Sequence, residues 1–141
     1  MPKLHQIRSL LEKFIPDAKN DRLVLNAVHV KNRVLGSDGK VTNTLKPGDT
    51  YGHTVEIVRN YAIWPIKVDV QSTITSNEQI SFQSSPRQWD FVGELLPNHG
   101  LGPRTEIIYC RSRTSGREEI VTRFRLSSGH TDTMTLEIEV G

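Results

Sequence analysis

The sequence predicts an all-β protein: two antiparallel sheets packed face to face, about seven to eight strands in all, preceded by one short amphipathic α-helix. Three observations lead there. After Asp21 the apolar residues recur with period two, in runs short enough to be strands. Turn-forming groups separate the runs, as in Ser37-Asp38-Gly39-Lys40 and Lys46-Pro47-Gly48-Asp49. No helical pattern lies between them, which disfavours a parallel sheet with crossover helices.

The elements follow in order. Leu4, Ile7, Leu10, Leu11 and Phe14 fall at helical spacing, with Gln6, Arg8, Glu12 and Lys13 opposite, and Pro16 ends the pattern. Residues 1–20 are therefore read as an amphipathic helix and linker, acting as a lid or a docking element, and residues 21–141 as the sandwich. Strands are expected at Arg22 to Val30 and at Thr50 to Arg59, where Val55 and Ile57 share a face. Ile63 to Thr73 is the next, with Ile66, Val68 and Val70 together, and Pro65 inside it suggests an edge position or a bulge. Shorter strands are read near Gln79 to Phe82 and from Trp89 to Leu96, followed by the loop Pro97 to Pro103. Arg104 to Arg111, Glu119 to Leu126 and Thr133 to Val140 close the list. In the last two, Ile120, Thr122, Phe124 and Leu126, then Met134, Leu136, Ile138 and Val140, form the rows that face a core.

Composition narrows the functional classes. A chain of 141 residues is long enough for one self-sufficient core, and 35% apolar with 24% charged residues suits neither disorder nor a membrane interior. A net charge of +2 is far from the dense field of a dedicated nucleic-acid binder. The lone Cys110 rules out an internal disulfide and fits a reducing compartment. With no signal-peptide pattern and no membrane-spanning run, the expected location is the cytoplasm, without a membrane partner.

Leu45-Lys46-Pro47-Gly48-Asp49-Thr50, leading into Val55 and Ile57, resembles the proline-glycine turn that enters a central strand of immunoglobulin-like and fibronectin-like accessory domains. Leu101-Gly102-Pro103-Arg104, before Ile107 and Tyr109, is similar to a second copy of that device. The resemblance covers Asp21 to Gly141 and implies an immunoglobulin-like sandwich of the cysteine-free branch, with binding as its usual role. A fold alone does not assign a function.

The chemistry-bearing residues are sparse. His5, His29, His53, His99 and His130 are scattered without metal-ligand spacing and are read as surface histidines, so no metal or other cofactor is expected. Cys110, following Ile107, Ile108 and Tyr109, is read as a small buried apolar group and not a nucleophile. No phosphate loop, nucleophile elbow or paired carboxylates appear, so no enzyme is expected. Arg104, Arg111, Arg113, Arg117, Arg123 and Arg125 are read as one hairpin of the penultimate strands, with Glu106, Glu118 and Glu119 partly cancelling their field. A solvated ion-pair surface accounts for them, and an edge for an acidic peptide or nucleic-acid backbone is the sharper reading. Trp64 is assigned to the core, and Trp89 to a partly exposed place near the Pro97–Pro103 loop. The candidate binding residues are thus Arg111, Arg113, Arg117, Arg123, Arg125 and Trp89. The expectation is a non-enzymatic protein-interaction module, with a self-assembling shell or decoration subunit and a phosphate-backbone binder as alternatives. Its partner would be another protein or a second copy, with an acidic or phosphate-bearing partner as the further alternative.

Overall fold

The computed structural model describes residues 20–76, 78–111 and 115–141. Ten strands form two five-stranded sheets: β1 (Asp21–Val24), β2 (Val28–Leu35), β3 (Thr44–Leu45), β4 (Thr50–Asn60), β5 (Ile66–Ile74), β6 (Ile80–Phe82), β7 (Gln88–Leu95), β8 (Pro103–Cys110), β9 (Gly116–Leu126) and β10 (Thr131–Val140). The first sheet has the order β1-β2-β4-β8-β6, and the second β3-β10-β9-β5-β7. Setting β2-β4-β8-β6 against β10-β9-β5-β7 reproduces the A-B-E-D and G-F-C-C′ layers of an immunoglobulin-like sandwich. One departure is that β6 precedes β7 along the chain. The helix read over Leu4 to Phe14 lies outside the described residues.

Among the described residues the all-β expectation and most strand positions hold, but several readings need correction. Arg22 to Val30 is not one strand. The chain reverses between β1 and β2, where Leu25 and Asn26 take φ of 54° and 60° and the Ala27 N–H donates to the Val24 carbonyl at 3.1 Å. Positive φ at both central residues is the mark of a type I′ turn, whose twist suits a tight hairpin. β3 was not foreseen. It is two residues long, pairs parallel with the end of β10, and is held by the Glu139 and Gly141 N–H groups donating to Asn43 and Leu45. Pro65 marks neither an edge nor a bulge. β5 begins at Ile66 and lies between β9 and β7, so the proline sits just ahead of an inner strand. Nor do β8 and β9 form a hairpin, since they belong to different sheets.

The interior has two apolar clusters. One gathers Val30, Ile57, Val68, Phe124 and Met134, and the other Val34, Ile80, Ile108, Ile120 and Ile138. Between them runs a buried polar waist. Ser72 Oγ and Thr122 Oγ1 lie 2.8 Å apart on the second sheet, while Asn32 and His53 face inward from the first. Trp89 packs against both clusters.

Candidate interaction surface

The arginines do not converge. Arg111 follows β8 in the first sheet, while Arg117, Arg123 and Arg125 lie on β9 in the second. Arg113 lies outside the described residues. Along β9, Arg117 and Arg125 are eight residues apart, about 27 Å at ~3.4 Å per residue. Their acidic neighbours are on other strands than those expected: Arg117 faces Glu139 of β10 at 3.6 Å, and Arg125 faces Asp69 of β5 at 3.7 Å. Glu118 does not screen arginines at all. It is buried, and its carboxylate accepts hydrogen bonds from Ser76 Oγ at 2.7 Å and from the Glu78 and Gln79 N–H groups at 3.0 and 2.9 Å.

Arg123 and Arg125 help line a shallow polar trough of about 520 Å³ on the outer face of the second sheet. The register sets Asp90, Gln71, Arg123 and Thr133 in one row across the strands, and Asp69, Arg125 and Thr131 in the next. Asp90 and Arg123 are held two strand spacings apart, about 10 Å. Alternating charge of this kind describes a solvated sheet face.

His53 and Trp64 exchange the places assigned to them. His53 is fully buried, whereas Trp64 is 49% exposed. His53 belongs to the waist: Trp89 Nε1–H donates to its Nδ1 at 2.9 Å, and its Nε2 lies 2.6 Å from Asn32 Oδ1. An indole nitrogen can only donate, so Nδ1 must accept and Nε2 must carry the proton. Burial pulls the imidazole down from its ordinary 6.5 to about 3. Trp89 is partly buried, as the sequence suggested, but it points inward, stacked on Phe91 and set edge-on to His53. Cys110 packs in the second cluster, where burial raises its thiol pKa and disfavours the nucleophilic thiolate. Among the described residues no three His, Cys, Asp or Glu side chains gather as a metal site.

The exposure of Trp64 has a local cause in Asn60, a fully buried residue at the end of β4. Its Oδ1 accepts from the Ala62 N–H at 2.9 Å, and its Nδ2 donates to the Trp64 and Leu95 carbonyls at 3.1 and 3.3 Å. Its main chain is also engaged: the Asn60 N–H donates to the His99 carbonyl, and its carbonyl accepts from the Asn98 N–H, both at 2.8 Å. One side chain thus ties the β4–β5 connection to the end of β7. The β7–β8 loop lies so close to β4 that a Cβ on Gly100 would meet the Val58 carbonyl oxygen at 2.1 Å. Ile63 and Leu96, 62% and 58% exposed, accompany Trp64 on this clamped end. Arg59 lies over the ring of Tyr61 at 5.6 Å where β4 runs into the connection to β5. Sequence reasoning missed this surface because exposed apolar side chains look like core residues in a linear pattern.

No family model matches the sequence, and no curated protein matches it. Among solved structures, the native conformation of Escherichia coli alpha-2-macroglobulin is similar over 79% of this chain, with 18% identity and a TM-score of 0.58. That match covers 6% of the macroglobulin chain. A cohesin module from a Clostridium perfringens family 33 glycoside hydrolase shares 10% identity over 82% of this chain and 97% of its own, with a TM-score of 0.49. SSP-19, an MSP-domain-like protein of Caenorhabditis elegans, shares 13% identity over 69% and 91%, with a TM-score of 0.44. The macroglobulin likeness supports a β-sandwich of immunoglobulin-like kind, and at such identity it speaks for the fold alone.

Proposed function

We propose that this chain is a non-enzymatic interaction module that docks onto a protein partner through the apolar end carrying Ile63, Trp64 and Leu96. The observation behind this reading is the exposure of Trp64 on a main chain that buried Asn60 holds, its Nδ2 donating to the Trp64 carbonyl at 3.1 Å, so this stretch of backbone is ordered before a partner arrives. Tryptophan is among the residue types enriched at interface hot spots, and exposed Ile63 beside it in sequence adds apolar area.

The test compares proteins captured from the native host by the unmodified chain and by a Trp64→Ser, Leu96→Ser variant, quantified by mass spectrometry. Both substitutions are at exposed positions, so unchanged far-ultraviolet circular dichroism is expected. The prediction is that the specifically retained partner falls at least tenfold with the variant, about 1.4 kcal/mol or more. Equal capture by the two proteins refutes the reading. Light scattering of the purified chain identifies the partner as a second copy if association depends on concentration and disappears in the same variant.

A further inference from the structure

We propose that the cleft between β10 and β2 takes up an extended, basic segment of a partner protein by strand addition to β10. The two sheet edges on this side of the sandwich differ. That of β2 is occupied along its length: β1 pairs with Val28 to Lys31, Asn20 exchanges hydrogen bonds with Asn32, the Thr42 N–H donates to the Val34 carbonyl, and Val41 bridges Leu35. β10 is covered only at its ends. Glu139 and Gly141 donate outward to Asn43 and Leu45, which fixes the direction of the alternating main-chain groups. By that alternation the N–H and C=O groups of Thr133, Thr135 and Glu137 also point away from β9. Thr133 is capped, its N–H donating to Asp132 Oδ1 at 2.9 Å and its carbonyl accepting from Arg22 Nη1 at 3.1 Å. The outward main-chain groups of Thr135 and Glu137 meet neither a further strand nor a capping side chain among the described residues.

This bare stretch opens into a cleft of about 620 Å³ with Val34, Leu136, Val41 and Asn43 in its lining. Val34 and Leu136 are buried, while Val41 is half exposed. The apolar lining is what gives an incoming strand somewhere to place side chains. β7 is likewise an edge, but Trp89 and Phe91 fill the space behind it.

The geometry also sets the chemistry of the occupant. A strand added to β10 exchanges main-chain hydrogen bonds with Thr135 and Glu137 and turns alternate side chains onto Val34, Leu136 and Val41, which favours valine or similar groups. The intervening side chains lie on the outer face beside Glu137. Glu139 is matched by Arg117 at 3.6 Å, whereas Glu137 has no ion-pair partner among the described residues, so a lysine or arginine is favoured opposite it.

The test uses the full chain, labelled with 15N, and a capped peptide of alternating valine and lysine. Amide exchange at Thr135 and Glu137 should be fast in the chain alone and slow by at least about tenfold with saturating peptide. Methylating the peptide nitrogens that would bond to β10 should weaken binding about tenfold, equivalent to about 1.4 kcal/mol. Glu137→Lys, an exposed substitution, should reverse the preference toward a valine–glutamate peptide, while Trp64→Ser should leave it unchanged. The proposal fails if the peptide does not bind, or binds without protecting these two amides. It fails equally if the methylated peptide binds as well. Slow exchange of both amides in the chain alone also overturns it, because the slot would then be filled from within the same molecule.

Discussion

His53 is held neutral by its neighbours as well as by burial. Adding a proton to Nδ1 would set it against the Trp89 N–H and leave a charge in the interior. The unfolded chain takes up that proton near pH 6.5 and the folded chain only near 3, so the unfolded state binds more protons between those values. The contribution of His53 to stability is therefore whole above pH 6.5 and declines as the pH falls toward 3, by about 1.4 kcal/mol per pH unit. Urea unfolding across that window should show this slope, and His53→Gln should lack it while costing about 1–3 kcal/mol at neutral pH through unmet hydrogen bonds. Parallel acid curves for the two proteins would mean that the imidazole titrates as if exposed. Glu118 is a second buried polar residue whose hydrogen bonds can be tested. Its carboxylate satisfies three donors, and Glu118→Gln turns an amide N–H₂ toward some of them. A loss of about 1–3 kcal/mol is expected in denaturant unfolding, and a loss below experimental error would show that the loop at Ser76 to Gln79 does not depend on those bonds.

At the level of strands, two-residue alternation located what it should locate. In β9 and β10 the rows Ile120, Thr122, Phe124 and Met134, Leu136, Ile138, Val140 are buried as read from the sequence, because in a strand one face must leave water. His53 shares the parity of Val55 and Ile57 on β4, a sign of an inward place that the surface reading of this histidine passed over. The same signal misled for Trp64, whose parity with Ile66 ends at Pro65, before the strand begins. Alternation identifies a buried face but does not say which sheet a strand joins. Neighbouring β8 and β9 were accordingly read as one arginine-bearing hairpin when the chain crosses between layers there. The β1–β2 turn was hidden for a related reason. Leu25 is buried yet sits at positive φ, and Asn26 is the one local sign of reversal. That turn can be probed directly: Asn26→Val places a β-branched residue at φ of 60° and should cost about 1–2 kcal/mol more in thermal unfolding than Asn26→Gly, which loses the same side chain but takes that φ without strain. Equal melting temperatures for the two variants would argue against the left-handed turn.

Across the whole molecule, the central pairings join strands far apart in sequence, β4 with β8 and β5 with β9, so neither sheet can form from local contacts. The layered arrangement also distributes charge. Arg117 and Arg125 lie toward opposite ends of β9, each facing a carboxylate from a neighbouring strand, while Arg111 projects from the other sheet. A polyanion laid along any one face would therefore meet few unopposed cations at once. Each phosphate neutralised contributes close to one to the dependence of log affinity on log salt, so a built phosphate-binding surface engaging six or more phosphates gives a slope of about −5 or steeper. For this chain a slope of about −1 to −2 with a DNA duplex is expected, the value of a mildly basic surface with one or two loose contacts. Serine at Arg111, Arg117 and Arg125 together should move it by no more than about one. A steep slope that collapses in that triple variant would instead mean that the arginines act as one surface, and that their separation over two sheets does not govern how this molecule meets an anionic partner.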